Sequence, residues 1–263
     1  MSHSILGVQI DDLSQNEVRT RINQWLEGEY GKIIVTPNAE MLVQARRDSA
    51  LHRRLNGADL AVADTVSIRY AVAALTSSRL ENRIAGVDLI QEIAGLCRDN
   101  NKRLVLLGGA PGAALGASKK IGGIAIDPGY VPFDGVTPEI DEGLIDELRQ
   151  QNPDVVAVGL GHGKQEAFME LAREMLPEVR IWIGVGGSFD MISGKRKRAP
   201  RALRSIGLEW LWRLIIEPSR WRRIARATIV FPCTVAWITL KDRSFITATG
   251  RVFKEVYRQF RKV

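Results

Sequence analysis

The residues of this chain best suited to chemistry stand where short apolar runs end. Asp64 closes the run DLAVA and precedes TVSIRYAV, which starts a helix, so its carboxylate is expected at a sheet rim beside a helix N-terminus. In that position it can cap the helix, a common task for aspartate. It can equally serve as a general base, which must lie within hydrogen-bond reach of the proton it takes. Thr36 and Asn38, in VTPNAEM, end another such run. Pro37 holds the turn and Asn38 is placed to cap the helix that follows, while the Thr hydroxyl and Asn amide are also the groups that hold a ligand's hydroxyls. RLVLLGG ends in Gly108 and Gly109, and GLGHGKQE and GVGGSFD contain Gly161, Gln165, Gly186, Gly187 and Asp190. Glycine after a strand lets backbone approach a nucleotide or its diphosphate. Neither of the last two stretches has the G-x-G-x-x-G spacing with a later acidic residue that marks a dinucleotide site, so alone they read as turns.

Arg213, Arg220 and Arg223 flank Glu217-Pro218, with Pro218 placed to start a helix. Arg220 and Arg223 are three apart and share a helical face, a fork of guanidiniums suited to a diphosphate. Arg222 and Arg226 make the segment basic all round, so a solvated cationic face is the competing reading. No D-x-D triplet occurs, and His3, His52 and His162 are scattered. A diphosphate leaving group develops charge that a divalent ion or Arg and Lys side chains must balance. With no metal-ligand spacing, the arginines would have to do it, and no metal or cofactor is expected.

These residues need a scaffold of alternating strands and helices. KIIVT (Lys32 to Thr36), DLAVA (Asp59 to Ala63), RLVLLGG (Arg103 to Gly109), GIAID (Gly123 to Asp127), DVVAVGL (Asp154 to Leu160) and RIWIGVG (Arg180 to Gly186) read as strands. Helical patterns cover Ala39 to Leu55, Val87 to Asn100, Pro138 to Gln151 and Lys164 to Leu176. The alternation predicts an α/β fold, a Rossmann-like layered core with a mostly parallel sheet. Ligands of such sheets sit beyond the strands' carboxyl ends, where the residues named above would form one rim.

Charge divides the chain near residue 195. Residues 1–194 hold 19 Lys and Arg against 26 Asp and Glu, a net of −7, and residues 195–263 hold 18 against 4, a net of +14. The two parts read as a catalytic core, 1–194, and a helical, basic C-terminal appendage, 195–263, that faces something anionic. GKRKRAPRALRS and GLEWLWRLIIEPSRWRR carry the cations, interleaved with tryptophan. The apolar run from Ala227 to Leu240 spans 14 residues around Pro232, shorter than the roughly 20 needed to cross a bilayer, and reads as buried or interfacial. Beyond it Val252, Phe253, Val256, Tyr257 and Phe260 recur at helical spacing among Arg251, Lys254, Arg258, Arg261 and Lys262, an amphipathic helix suited to a membrane surface or a partner groove. Cys97 and Cys233 make no disulfide framework, and MSHSILGVQIDDLSQ lacks a cationic start followed by an apolar run, so a reduced compartment is expected and export is not.

Three stretches, TPNAEM, the VADT around Asp64, and IGVGGSFDMISGKRKRAP followed by GLEWLWRLIIEPSRW, closely resemble the WecG/TagA/CpsF glycosyltransferase family, over about residues 30 to 225. The resemblance implies an inverting, metal-independent transfer of a hexose or N-acetylhexosamine. The donor would be a UDP-sugar and the acceptor an undecaprenyl-diphosphate-linked sugar, in cell-surface polysaccharide assembly such as wall teichoic acid or capsule. It makes the aspartate matching Asp64 the base and places Thr36, Asn38 and Gln165 in the pocket. It brings Arg213, Arg220 and Arg223 over the site on an appendage that meets the cytoplasmic face of the bacterial inner membrane. Implied partners are the donor, the lipid-linked acceptor and the bilayer surface, and a homo-oligomer is compatible with this reading. Family members usually carry glycine after the aspartate and proline before K-Q-E, where this chain has Thr65 and Gly163. A module gripping nucleic acid through the +14 segment is the competing class; the acidic first part with its pocket-forming loops argues against it, and nucleic acid is not an expected partner.

Overall fold

The structure is a computed structural model that describes residues 1–200, 203 and 207–261. Arg201, Arg204, Lys262 and the side chain of Phe260, noted above, lie outside the described residues. Its center is a six-stranded parallel sheet of β3 (Lys32–Val35), β4 (Leu60–Ala61), β5 (Leu104–Gly108), β6 (Ile124–Ile126), β7 (Val155–Gly159) and β8 (Ile181–Gly184), in the order β4-β3-β8-β7-β5-β6. All six match a predicted run. The inner strands were legible because strands covered on both faces are apolar along their whole length, while edge strand β6 keeps an exposed Ile124.

Alternate residues of each strand enter different cores, as the pleat requires. Ile34, Leu106, Ala157 and Ile183 face α1 (Gln15–Gly28), α5 (Gly86–Asp99), α6 (Ala113–Ile121) and α9 (Ser188–Ser193). Val35, Leu107, Val158 and Trp182 face α2 (Ala39–Ala45), α3 (Ser49–Asn56), α4 (Val66–Leu75), α7 (Glu142–Gln151) and α8 (Lys164–Met175). The result is the Rossmann-like arrangement that the alternation predicts.

Three local differences have physical causes. The helical pattern from Ala39 to Leu55 is two helices, because the Asp48 carboxylate accepts from Leu51 N at 2.9 Å and starts α3 anew. The pattern from Pro138 becomes helical only at Glu142, where Asp141 is the cap. An N-terminal hairpin, β1 (Ser2–Ile5) and β2 (Val8–Asp11), was not foreseen. Its two-residue turn places Leu6 at φ 52° and Gly7 at φ 85°, and leucine gives no signal for that conformation. The hairpin covers the sheet edge: Asp11 bridges to Val62 and its carboxylate accepts from Ala61 N at 2.9 Å.

After α9 the chain forms α10 (Glu209–Ile216), α11 (Pro218–Lys241) and α12 (Phe245–Arg261). Pro218 opens α11 as a tight first turn, and a π-helical segment runs from Arg226 to Val230. The 14-residue apolar run therefore sits in a 24-residue helix, which by length and composition is long and apolar enough to cross a membrane. Only 22% of its most apolar stretch is buried. Phe231, Val235 and Thr239, four residues apart, are buried, and α11 packs along α2 and α4. Its partner α12 docks on α4 through Ala248, Glu255 and Gln259 together with Val252 of the predicted apolar stripe, while Phe253 and Tyr257 of that stripe stay exposed.

Phe231 is the anchor of this docking. Phe231→Ala should lower the free energy of unfolding by about 3–5 kcal/mol in a urea titration, and amide exchange in α11 and α12 should rise ahead of the sheet. A variant as stable and as protected as the parent would show that α11 does not depend on this contact.

Candidate active site

The carboxyl ends of β3, β4, β5, β7 and β8 open into a cleft of about 1070 Å³, counting its mouth. Its lining includes Thr36, Asn38, Asp64, Gly109, Gly161, Gln165, Gly186, Gly187 and Asp190, so the predicted rim is a single surface. Gly108 does not line it. At φ 90° it packs on β7, where an added Cβ would stand 3.0 Å from Leu160 Cδ2.

Asp64 is not the cap of α4; that position belongs to Thr65. The Asp64 carboxylate instead accepts from Gly86 N, the first residue of α5, at 3.0 Å, while Arg83 holds its backbone carbonyl at 3.2 Å. Burial in the cleft raises its pKa above the ordinary aspartate value. The Gly86 bond and the Arg213 and Arg83 charges oppose that rise, and Glu209 adds to it.

Most of the polar residues around it have structural partners. Asn38 caps α2, accepting from Met41 N at 3.1 Å, so only its NH₂ is left to meet a ligand. Thr36 Oγ1 lies 3.3 Å from Gly184 O. Gln165, buried, accepts from Gly186 N at 2.9 Å and donates to Glu166 at 2.7 Å, fixing the glycine turn. Asp190 accepts from Ala110 N at 3.1 Å and pairs with Arg196 at 3.0 Å. Gly163, at the entry to α8, stands at φ 85°, a conformation closed to proline.

Arg213, Arg220 and Arg223 all reach the cleft, each held by a carboxylate. Arg213 pairs with Glu209 at 3.3 Å and Arg220 with Glu217 at 3.2 Å. Arg223 meets both oxygens of buried Glu40 at 3.1 Å and donates to His162 Nδ1 at 2.8 Å. Burial lowers the His162 pKa below the ordinary imidazole value, with Glu40 opposing the shift, which favors the neutral ring that can accept that bond. Arg196, which sequence reasoning left within a basic run, lines the same cleft and also pairs with Glu217 at 2.8 Å. Burial, followed by the charge of Arg196 and then those of Arg223 and Arg213, lowers the pKa of Arg220, while Glu217 opposes the shift. The four guanidiniums therefore converge. Glu40, Glu209, His162, Arg83 and Arg196 were the residues missed, since only the fold brings them beside the motif residues.

A second lobe of about 950 Å³ joins the first at Asn38, Asp64, Glu209, Arg213, Arg220 and Arg223 and runs between α2, α4 and the C-terminal helices past Val66, Ile224 and Ala227. Among the described residues no three His, Cys, Asp or Glu side chains gather into a group that could hold a metal ion. The cations facing the cleft are guanidiniums.

A desolvated carboxylate opposite clustered guanidiniums, at the carboxyl end of a parallel sheet, is an arrangement able to take a proton beside a bound anion. The sequence model of the glycosyl transferase WecG/TagA/CpsF family matches residues 3–244, and the chain belongs to that family. Over 208 residues it is 32% identical to an N-acetylglucosaminyldiphosphoundecaprenol N-acetyl-beta-D-mannosaminyltransferase of Bacillus subtilis (strain 168), covering 76% of this chain and 77% of the relative. A protein of the same name from Bacillus spizizenii is 33% identical over 204 residues, with the same coverage.

The raised pKa of Asp64 has a stability consequence. Its charged form is held less well by the folded than by the unfolded chain, so the penalty is absent below the ordinary value of 3.8 and complete once pH exceeds the raised folded value. Asp64→Asn should therefore melt above the parent in mildly alkaline buffer, and the gap should close as pH falls toward that value. A gap of constant size across the series would contradict a desolvated carboxylate.

Proposed function

We propose that this chain is an inverting glycosyltransferase that moves a sugar from a UDP-sugar to a polyprenyl-diphosphate-linked sugar. The convergence of Asp64 with four guanidiniums on one cleft carries the reading. The Asp64 carboxylate takes the proton of an acceptor hydroxyl as that oxygen attacks the donor's anomeric carbon. The carbon–oxygen bond to UDP breaks on the opposite face, and a single displacement inverts the center. Arg213, Arg220 and Arg223, with Arg196 beside them, balance the charge on the departing diphosphate without a bound divalent ion. Each guanidinium carries five N–H donors, more than its carboxylate partner uses.

The remaining cleft residues fit the same scheme. The backbone at Gly109, Gly186 and Gly187 admits the nucleotide diphosphate, with Asp190 and Gln165 holding those turns. Thr36 and Asn38 lie toward the sugar. The mannosaminyltransferase names of the relatives favor an N-acetylmannosamine donor and an N-acetylglucosamine-diphosphate-lipid acceptor.

In this scheme residues 1–194 are the catalytic core and residues 195–263 complete the site and bind the cytoplasmic face of the membrane peripherally. Exposed Trp210, Ile215, Trp221, Ile229, Trp237 and Phe253 among the cations support that placement.

With UDP-N-acetylmannosamine and a short-chain lipid-diphosphate N-acetylglucosamine acceptor, transfer should persist in chelator. Asp64→Asn should lower kcat by about 10²–10⁴-fold with its fold intact. Turnover that stops on chelation would remove the arginines from sole charge of the leaving group, and near-normal turnover in Asp64→Asn would remove Asp64 from the role of base.

A further inference from the structure

The family match ends at residue 244, and α12 begins just beyond it, at Phe245. This helix builds a groove of about 850 Å³, counting its open mouth. The floor is α4, with Tyr70, Ala71 and Ala74, and the walls are α11, with Phe231 and Val235, and α12, with Thr249 and Phe253. The lining is apolar apart from a few hydroxyls.

The groove continues the active site. Ser67 lines both it and the second lobe of the cleft, and along α11 the lining passes from Ile224 and Thr228 in that lobe to Phe231 and Val235 in the groove. Its outer wall is fixed in place. Buried Glu255 pairs with Arg79 at 3.0 Å, Tyr70 donates to Gln259 at 2.9 Å, and Arg251 caps the end of α4 by donating to the Ala73 and Ala74 carbonyls at 2.7 and 2.8 Å. Exposed Trp237, Leu240 and Ile246 extend the apolar surface of α11 and α12.

We propose that this groove binds the first isoprene units of the polyprenyl chain of the acceptor, an inference that rests on the function proposed above. An acceptor whose sugar hydroxyl faces Asp64 and whose diphosphate lies in the second lobe carries its hydrocarbon on the lobe's far side, where the apolar channel past Ser67 begins. The chemistry of the channel suits it: branched hydrocarbon meets alanine, valine and phenylalanine, and among the described residues no cation lines the groove. α12 thereby adds selectivity for a lipid chain.

Thr249 is exposed and lines the groove, so Thr249→Trp fills it without disturbing the core. Transfer would be measured with UDP-N-acetylmannosamine and two N-acetylglucosamine-diphosphate acceptors, one on undecaprenol and one on a short water-soluble alkyl chain, in detergent micelles. Thr249→Trp should raise KM for the undecaprenyl acceptor about tenfold, the effect of excluding roughly two methylenes from an apolar site, and leave the short acceptor within about twofold. Phe253→Asp, at a position 74% exposed, should act in the same direction. An unchanged preference for the long chain in both variants would overturn the proposal. So would weaker flotation with acceptor-free anionic vesicles at an unaltered KM, which would assign the groove to bilayer lipid. Should a variant also lose the short acceptor, a melting curve matching the parent's would count against the proposal, and an early melt would pass the decision to the other variant. Failure of the parent with both acceptors would instead refute the underlying function.

Discussion

Guanidinium groups repel one another, and gathering four of them at the rim of a partly buried cleft requires compensating charge. Here the protein supplies it with Glu40, Glu209, Glu217 and Asp190, each holding a guanidinium in place while leaving N–H donors for something else. Two of these four carboxylates come from the core: Glu40 stands 183 residues from Arg223, and Asp190 of α9 holds Arg196, while Glu209 and Glu217 pair with Arg213 and Arg220 at helical spacing. The arginines are therefore fixed by the core as much as by their own helices. That coupling joins the acidic first part of the chain to its basic last part.

The sheet explains why the carboxylate and the arginines face each other. Parallel strands deliver every turn to the same end, and with strand order β4-β3-β8-β7-β5-β6 the residues after five of them share one cleft. Asp64 sits there without exposure enough to be fully hydrated, and α5 offers it a backbone N–H at Gly86. α10 and α11 then close the open side. Phe231 and Val235 bury the apolar face that keeps α11 against α2 and α4, so packing energy orders a surface whose charges alone would not.

Much of this was legible in the sequence. The inner strands are buried on two faces and so read as unbroken apolar runs, and Asp64, Thr36, Asn38 and the glycines follow such runs directly. Arg213, Arg220 and Arg223 stood out by type and spacing. What could not be read depended on distant pairing or on rare backbone. Glu40 in TPNAEM looks like an ordinary first-turn helix acid until Arg223 meets it, and Arg196 is one cation among many until α9 turns it toward Asp190. The Leu6-Gly7 turn has no composition signal, and α12 buries Glu255 and Gln259 because Arg69, Arg79 and Tyr70 wait for them across the interface, a reversal that helical periodicity could not foresee.

The central claim is that the arginine cluster is built for the diphosphate of a nucleotide donor. Calorimetric titration of UDP into the parent and into Arg220→Gln tests it without any need for turnover. A hydrogen bond to a charged group is worth about 1.5–3 kcal/mol, so the substitution should weaken UDP binding about 10- to 100-fold. UDP bound equally well by both proteins would contradict the account.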